Sequence, residues 1–251
     1  MLVGLKIWRY DSKTGDRALR EYEVDAPEEA TLLDCLDLVK DKHDGSLAYR
    51  KSCRMMICGS CGMRMDGAAV LACKVRMYDI AQEGRVPVIS AMGNLPIVKD
   101  LVVDMDPFWQ KMRAVDPYLQ PRYDQAQERE NVVSQPQMDV IHKESLCINC
   151  GCCVSECNSM ESDPDFLGPA ALAKGMRFVG DPRDGATRSR MPSMLVKGLL
   201  PWMSQVISLK TVMNVLTVTK RTPPDPSARA AIPAQPTKWC SRPIPVFMIR
   251  A

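Results

Sequence analysis

The chain has 251 residues, enough for about two domains with a sizeable core. Its 33 Lys and Arg against 30 Asp and Glu leave a net charge of only +3, too small for a nucleic-acid binder. Eleven cysteines would suit a disulfide scaffold in a short secreted chain, yet Met1 runs straight into strand-like residues, with neither a signal peptide nor the Arg- and Ser-rich look of a transit peptide.

Residues 2–10 and 20–26 alternate apolar and polar side chains, as half-buried strands do, and Asp11 to Asp16 between them is turn chemistry. Asp25-Ala26-Pro27-Glu28-Glu29 reads as a helix start, with Leu32, Leu33, Leu36 and Val39 following at helical spacing, so a helix is expected over 28–42. Cys35 falls on its apolar face and reads as a buried core thiol. Strands are expected over 63–66 and 69–74, joined at Asp66-Gly67, and again over 86–90. Leu95 to Val115 reads as a helix leading out of this α+β unit. Residues 119–139 are polar with little period and read as a linker, after which the pattern turns helical, with a helix over 166–178 and Pro169 in its first turn.

The character changes near Gly185. From there to Ala251 there are ten Lys or Arg, a single acid (Asp225) and, within 223–245, seven prolines. Such a segment is hard to fold independently. Its most apolar part, Gly198 to Leu209, is broken by Pro201 and falls short of the roughly 18 residues of a membrane span. Leu195, Leu199, Leu200, Trp202 and Ile207 could nevertheless lie on a membrane surface.

Two cysteine tracts carry the chemistry. A reducing compartment is expected, and clustered thiols there mean metal or redox work. The first tract is Cys53-x4-Cys58-x2-Cys61 closed by Cys73, the plant-type [2Fe–2S] spacing. A compact cluster needs thiolates converging from one loop and a neighbouring strand, and Gly59 and Gly62 supply the small residues such a loop requires. Zinc is the competing reading, although gaps of four and eleven residues around one CxxC are unusual for it. The second tract, Cys147-x2-Cys150-x2-Cys153-x3-Cys157, has the bacterial-type spacing. Its first three cysteines suit three corners of a [4Fe–4S] cube, and the fourth normally reaches a neighbouring cluster. Cys152 is extra, either a bystander thiol or a substitute ligand, and Asn158 stands where the signature has Pro. After Cys157 only Cys240 remains.

Met55, Met56, Met63 and Met65 beside these cysteines read as soft core filling. Arg50, Lys51 and Arg54 read either as a counter-charge to a cluster or a partner's acids, or as a solvated face. His43 and His142 are the only histidines and form no acid–base pair, so no catalytic residue is assigned.

With CRMMICGSCGMRMDGAAVLAC, LPIVKDLVVDMDPFW, CINCGCCVSEC and DFLGPAALAKGMRFVGDPRD placed in this order, residues 1–184 resemble the iron–sulfur subunits of succinate dehydrogenase and fumarate reductase. The resemblance implies an α+β fold: an N-terminal β-grasp [2Fe–2S] ferredoxin domain over 1–96, a connecting helix and linker over 97–139, and a partial helical domain of bacterial-ferredoxin type over 140–184, with 185–251 as an atypical tail. It implies that Cys53, Cys58, Cys61 and Cys73 hold [2Fe–2S], that Cys147, Cys150 and Cys153 hold three corners of [4Fe–4S], and that Cys157 is one ligand of [3Fe–4S]. It further implies electron relay between a partner subunit's FAD and quinone at a membrane anchor, with the chain peripheral on the cytoplasmic face of the inner membrane. Succinate chemistry would occur on the flavoprotein.

The family brings a further Cys-rich run after the helix matching 168–179, supplying the fourth [4Fe–4S] ligand and two [3Fe–4S] ligands; here Cys240 stands alone. The quinone-site aromatic placed after the tract in many members is replaced by Asn158 to Ser162. Two readings of the tail stay open. One is a change of reading frame, since 227–234 taken one base earlier can spell Cys-Thr-Arg-Cys-Tyr-x-Cys; the other is divergence, with Met213 to Thr219 a faint echo of the missing run. The alternative function is a soluble [2Fe–2S] carrier with an incomplete second domain, and a third is a zinc-binding interaction module.

Overall fold

The computed structural model describes residues 1–11, 13–121 and 130–198. Strand β1 (Leu2–Tyr10) pairs antiparallel with β2 (Arg17–Asp25) over nine residues, from Leu2 opposite Asp25 to Tyr10 opposite Arg17. The period of two puts Val3, Leu5 and Ile7 on the buried face. Helix α1 (Leu32–Lys42) follows, and buries Leu32, Leu33, Cys35, Leu36 and Val39 against that face.

The helix starts later than residue 28. Thr31 is its N-cap and forms a capping box with Asp34, whereas Asp25 still pairs in β2 and binds the N-terminal amine. Strands β3 (Gly62–Met65) and β4 (Ala68–Leu71) form a hairpin whose central residues, Asp66 and Gly67, both have positive φ, 51° and 83°. That is the requirement of a type I′ turn. β4 stops at Leu71 rather than Lys74, and a short helix α2 (Met77–Gln82), unmarked in the sequence reading, buries Met77 and Ile80. Strand β5 (Val88–Ser90) then runs parallel to β1 and antiparallel to β3. The result is a mixed sheet of order β2-β1-β5-β3-β4 grasping α1.

The helix expected from Leu95 begins only at residue 106. Before it, β6 (Ile97–Lys99) and β7 (Val102–Val103) form a second, two-stranded sheet. The reason is Asp100, 3% exposed, at φ 50°, whose carboxylate accepts from Arg9 at 2.8 Å, Tyr10 N–H at 3.1 Å and Ala48 N–H at 2.8 Å. These bonds tie the chain back to β1 in a left-handed turn that no helix contains. Helix α3 (Asp106–Arg113) follows with Pro107 in its first turn.

The remaining described elements are helical: α4 (Gln135–Ser145), α5 (Cys152–Ser155), α6 (Asn158–Ser162), α7 (Gly168–Val179) and α8 (Thr187–Gly198). α4 begins inside the expected linker because Ser134 and Gln137 form a capping box with Pro136 in the first turn. α8 lies inside the segment read as an atypical tail, yet Arg190 and Met194 on it are buried, Met194 against Val115, Leu167 and Ala171. The helical packing thus continues past Gly185. The apolar positions from Leu199 to Ile207, the two readings of the tail and Cys240 lie outside the described residues. Among the described residues no helix is long and apolar enough to cross a membrane.

Candidate iron–sulfur centres

The first tract runs from the loop after α1 to the end of the β3–β4 hairpin. Cys61 immediately precedes β3 and Cys73 follows β4 by two residues, so the hairpin brings them side by side at its open end, where Ala72 N–H donates to Cys61 O at 3.1 Å. Both are buried, Cys61 3% and Cys73 7% exposed, while Cys53 is half-buried and Cys58 exposed. Arg54, Met56 and Gly59 have φ of 59°, 63° and 70°, alternating left-handed turns that point backbone N–H groups at sulfur. Cys53 Sγ accepts from Met55 N–H at 3.4 Å and Cys58 N–H at 3.3 Å, and Cys58 Sγ from Ser60 N–H at 3.5 Å.

Hydrogen bonds from the Ser60 side chain and from backbone groups of Cys53 and Ser60 hold the Cys58 thiol down at about 6. Burial pushes Cys61, beside Cys73, up to about 11. Cys53 neighbours Cys58, Cys61 neighbours Cys73, and the Cys58 charge is also felt at Cys61. Among the described residues no three Cys, His, Asp or Glu side chains close on a point that would take a single metal ion.

The loop is stapled to α1 by charge. Lys51 Nζ lies 2.8 Å from Asp37, and Arg54 bonds both Asp34, at 2.9 Å, and Asp37. Burial opposes ionisation of Asp37, but hydrogen bonds from Lys51, Tyr49 and Arg54 outweigh it and hold the carboxyl below its ordinary value. Lys51 and Arg54 thus anchor the loop to its own helix. Met63 is core, as expected, but Met55 and Met56 are 62% and 49% exposed and, with Ile57 at 65%, form an apolar loop tip.

The second tract spans the end of α4 to the start of α6. Asn149 and Gly151 have φ of 56° and 83°, turning the chain between Cys147 and the one-turn helix α5. Cys153 lies within electrostatic reach of Cys150 and Cys147. Cys150 bonds Cys152, which lowers the first thiol and, with burial, raises the second. Cys157 caps α6 and packs partly against the buried cluster that includes Met92, Phe108, Val154 and Met160. No further cysteine to complete this tract occurs among the described residues.

The structure brings the two tracts together. A Cβ on Gly59 would lie 2.8 Å from Cys150 Cα, and one on Gly62 would lie 3.1 Å from Cys150 O. Cys35 stays apart between α1 and the sheet, fully buried, its thiol pushed up to about 11 by burial and by Asp34. His43 and His142 are both exposed.

Sequence reasoning missed Asn94, whose side chain reaches the second tract, and the loop anchors Asp34 and Asp37. The dipeptide Gly93-Asn94 is a readable turn signal. The acids of α1 carry no signal until the loop is folded over them.

Residues 4–110 match the family described as a 2Fe-2S iron-sulfur cluster binding domain. The chain is 39% identical over 173 residues to the fumarate reductase iron-sulfur subunit of Escherichia coli, covering 69% of this chain and 70% of that protein. It is 42% identical over 172 residues to the fumarate reductase iron-sulfur subunit of Mycobacterium tuberculosis, covering 67% and 68%. To the mitochondrial succinate dehydrogenase [ubiquinone] iron-sulfur subunit 1 of Oryza sativa it is 36% identical over 191 residues, covering 74% and 66%. In fold it matches a chain of the Mycobacterium smegmatis Sdh1 complex in the apo form with a TM-score of 0.70 at 24% identity, over 78% of this chain and 81% of that one.

Proposed function

The chain belongs to the family of iron–sulfur subunits of fumarate reductase and succinate dehydrogenase, and from that membership we infer that Cys53, Cys58, Cys61 and Cys73 hold a [2Fe–2S] centre from which electrons pass toward the second tract. It is an electron-transfer subunit of an oxidoreductase complex. When bound, an iron–sulfur cluster supplies a one-electron redox couple.

The observation that carries the reading is the first tract: one loop and the open end of one hairpin bring in four thiols, with N–H groups of Met55, Cys58 and Ser60 directed at Cys53 and Cys58 sulfur. The thiolate is the ligand form, and the lowered Cys58 thiol suits that role. N–H groups donated to ligand sulfur also tune a cluster's potential. Cys61 and Cys73 are buried, whereas Cys58 and the apolar tip Met55–Ile57 are exposed. A centre held there would be reached from the exposed side, which suits exchange with the flavin of a partner flavoprotein.

The second tract fits less completely. Cys147, Cys150 and Cys153 are the three residues we assign to a [4Fe–4S] centre in a helical domain of bacterial-ferredoxin type. No fourth partner stands with them among the described residues unless Cys152 serves. Cys157 has no companion for a [3Fe–4S] centre there, and no step is assigned through one. Quinone and a membrane anchor are the proposed far end of the relay, with the chain peripheral to the membrane through its partners.

This shortage favours a second reading, a soluble [2Fe–2S] carrier whose second domain is incomplete. Iron and sulfide counts with EPR on anaerobically purified protein separate the two. About two irons per chain supports the carrier, and about six or more supports the relay. A colourless zinc protein contradicts both.

A further inference from the structure

The turn Gly93–Asn94 joins β5 to β6 and contains none of the cysteines, yet it makes three hydrogen bonds to the second tract. Gly93 N–H donates to Ser155 Oγ at 2.9 Å. The Asn94 side-chain amide donates to Val154 O at 2.8 Å and to Cys157 O at 2.9 Å. Asn94 sits at φ 58°, a left-handed conformation that Asn tolerates better than most side chains. Val154 and Ser155 are 2% and 5% exposed, so these bonds are sheltered from water.

Helix α5 has four residues, a single turn. One turn does not hold itself together, so its position is decided by tertiary contacts. At α5 and the residues just ahead of it, three glycines let the backbones approach closely, with the Met92 sulfur beside Gly62. A Cβ at Gly59 would lie 2.8 Å from Cys150 Cα, at Gly62 3.1 Å from Cys150 O, and at Gly93 2.8 Å from Ser155 O. At the rim Arg64 pairs with Glu156 at 3.1 Å.

We propose that Asn94 is a positioning residue: its amide clamps α5 and sets where the second cysteine tract stands relative to the first, across a seam where Gly59, Gly62 and Gly93 let the backbones approach closely. Its consequence for electron transfer, which falls steeply with the separation of two centres, rests on the reading of both tracts as cluster ligands. The clamp itself stands on the hydrogen bonds.

The test uses the full chain, purified anaerobically, and the variant Asn94→Gly, which keeps the left-handed turn and removes only the amide. Two neutral hydrogen bonds are lost, so hydrogen–deuterium exchange at amides 154–161 should quicken by about tenfold or more while β1 and β2 stay unchanged. Asn94→Asp, similar in shape but without the N–H groups, should do the same. Gly93→Ala should also quicken exchange, and Gly67→Ala, whose added Cβ meets nothing within 4 Å, should not. In the reduced protein, broadening of the [2Fe–2S] EPR signal by the second centre should weaken in Asn94→Gly at unchanged iron content. Unchanged exchange in both Asn94 variants overturns the clamp. A wild-type chain with about two irons overturns the two-centre reading instead, and the exchange result then still decides the clamp.

Discussion

The Arg190 guanidinium lies 2.8 Å from the Asp184 carboxylate, with the two side chains 1% and 0% exposed. Arg190 also donates to Val115 O at 3.0 Å and lies over the Phe178 ring at 5.2 Å, so one cation ties the end of α3 and the face of α7 to α8. Removing one partner of a buried pair leaves an uncompensated charge. Asp184→Ala is therefore expected to cost about 3–5 kcal/mol in urea unfolding. Arg190→Met should cost less, because Asp184 keeps the N–H groups of Gln120 and Ala186. A loss below about 1 kcal/mol for Asp184→Ala would show that α8 is held by other contacts.

Acid should loosen the packing of the β1–β2 pair through Asp44. Its carboxyl is held well below the ordinary 3.8, chiefly by the Ser46 hydrogen bond, against burial and with help from Arg9 and Tyr22. A carboxyl lowered in the folded state contributes stability that is complete above its unfolded value and is lost as pH falls below it. Unfolding midpoints should be flat from pH 7 to about 5 and drop below about 4. Asp44→Asn should be less stable at pH 7 and lose less on acidification. Parallel pH profiles for the two proteins would remove Asp44 from the account.

Two glycines with the same backbone conformation should behave differently. Gly59 and Gly67 have φ of 70° and 83°, but a Cβ at Gly59 meets Cys150 at 2.8 Å and one at Gly67 meets nothing within 4 Å. Gly67→Ala adds only backbone strain, about 1–2 kcal/mol, and should keep the full [2Fe–2S] spectrum. Gly59→Ala must also push its own loop, between Cys58 and Cys61, away from Cys150, so its cluster yield should fall well below that of Gly67→Ala. Equal yields would mean that the seam is loosely packed.

The β1–β2 pair, the Asp66-Gly67 turn and the core face of α1 were legible because each rests on local periodicity or turn chemistry. The helix expected from Leu95 failed because Asp100 is held by Arg9, Tyr10 and Ala48, partners far away in sequence. The segment after Gly185 looked unlike a folded domain by composition. What composition could not reveal is that Arg190, a residue type that usually marks surface, is buried beside Asp184. In the site itself the cysteine spacings marked the two tracts that the fold brings together, whereas the Gly59–Cys150 approach and the reach of Asn94 exist only once two distant segments meet.

The central claim is that the first tract holds its centre without help from the second. It is tested by EPR of the dithionite-reduced protein in which Cys147, Cys150 and Cys153 are all replaced by Ser. The [2Fe–2S] signal should persist at about two irons per chain, and Cys61→Ser in the otherwise native protein should abolish it. Loss of the signal in the triple variant, or its survival in Cys61→Ser, would contradict the assignment.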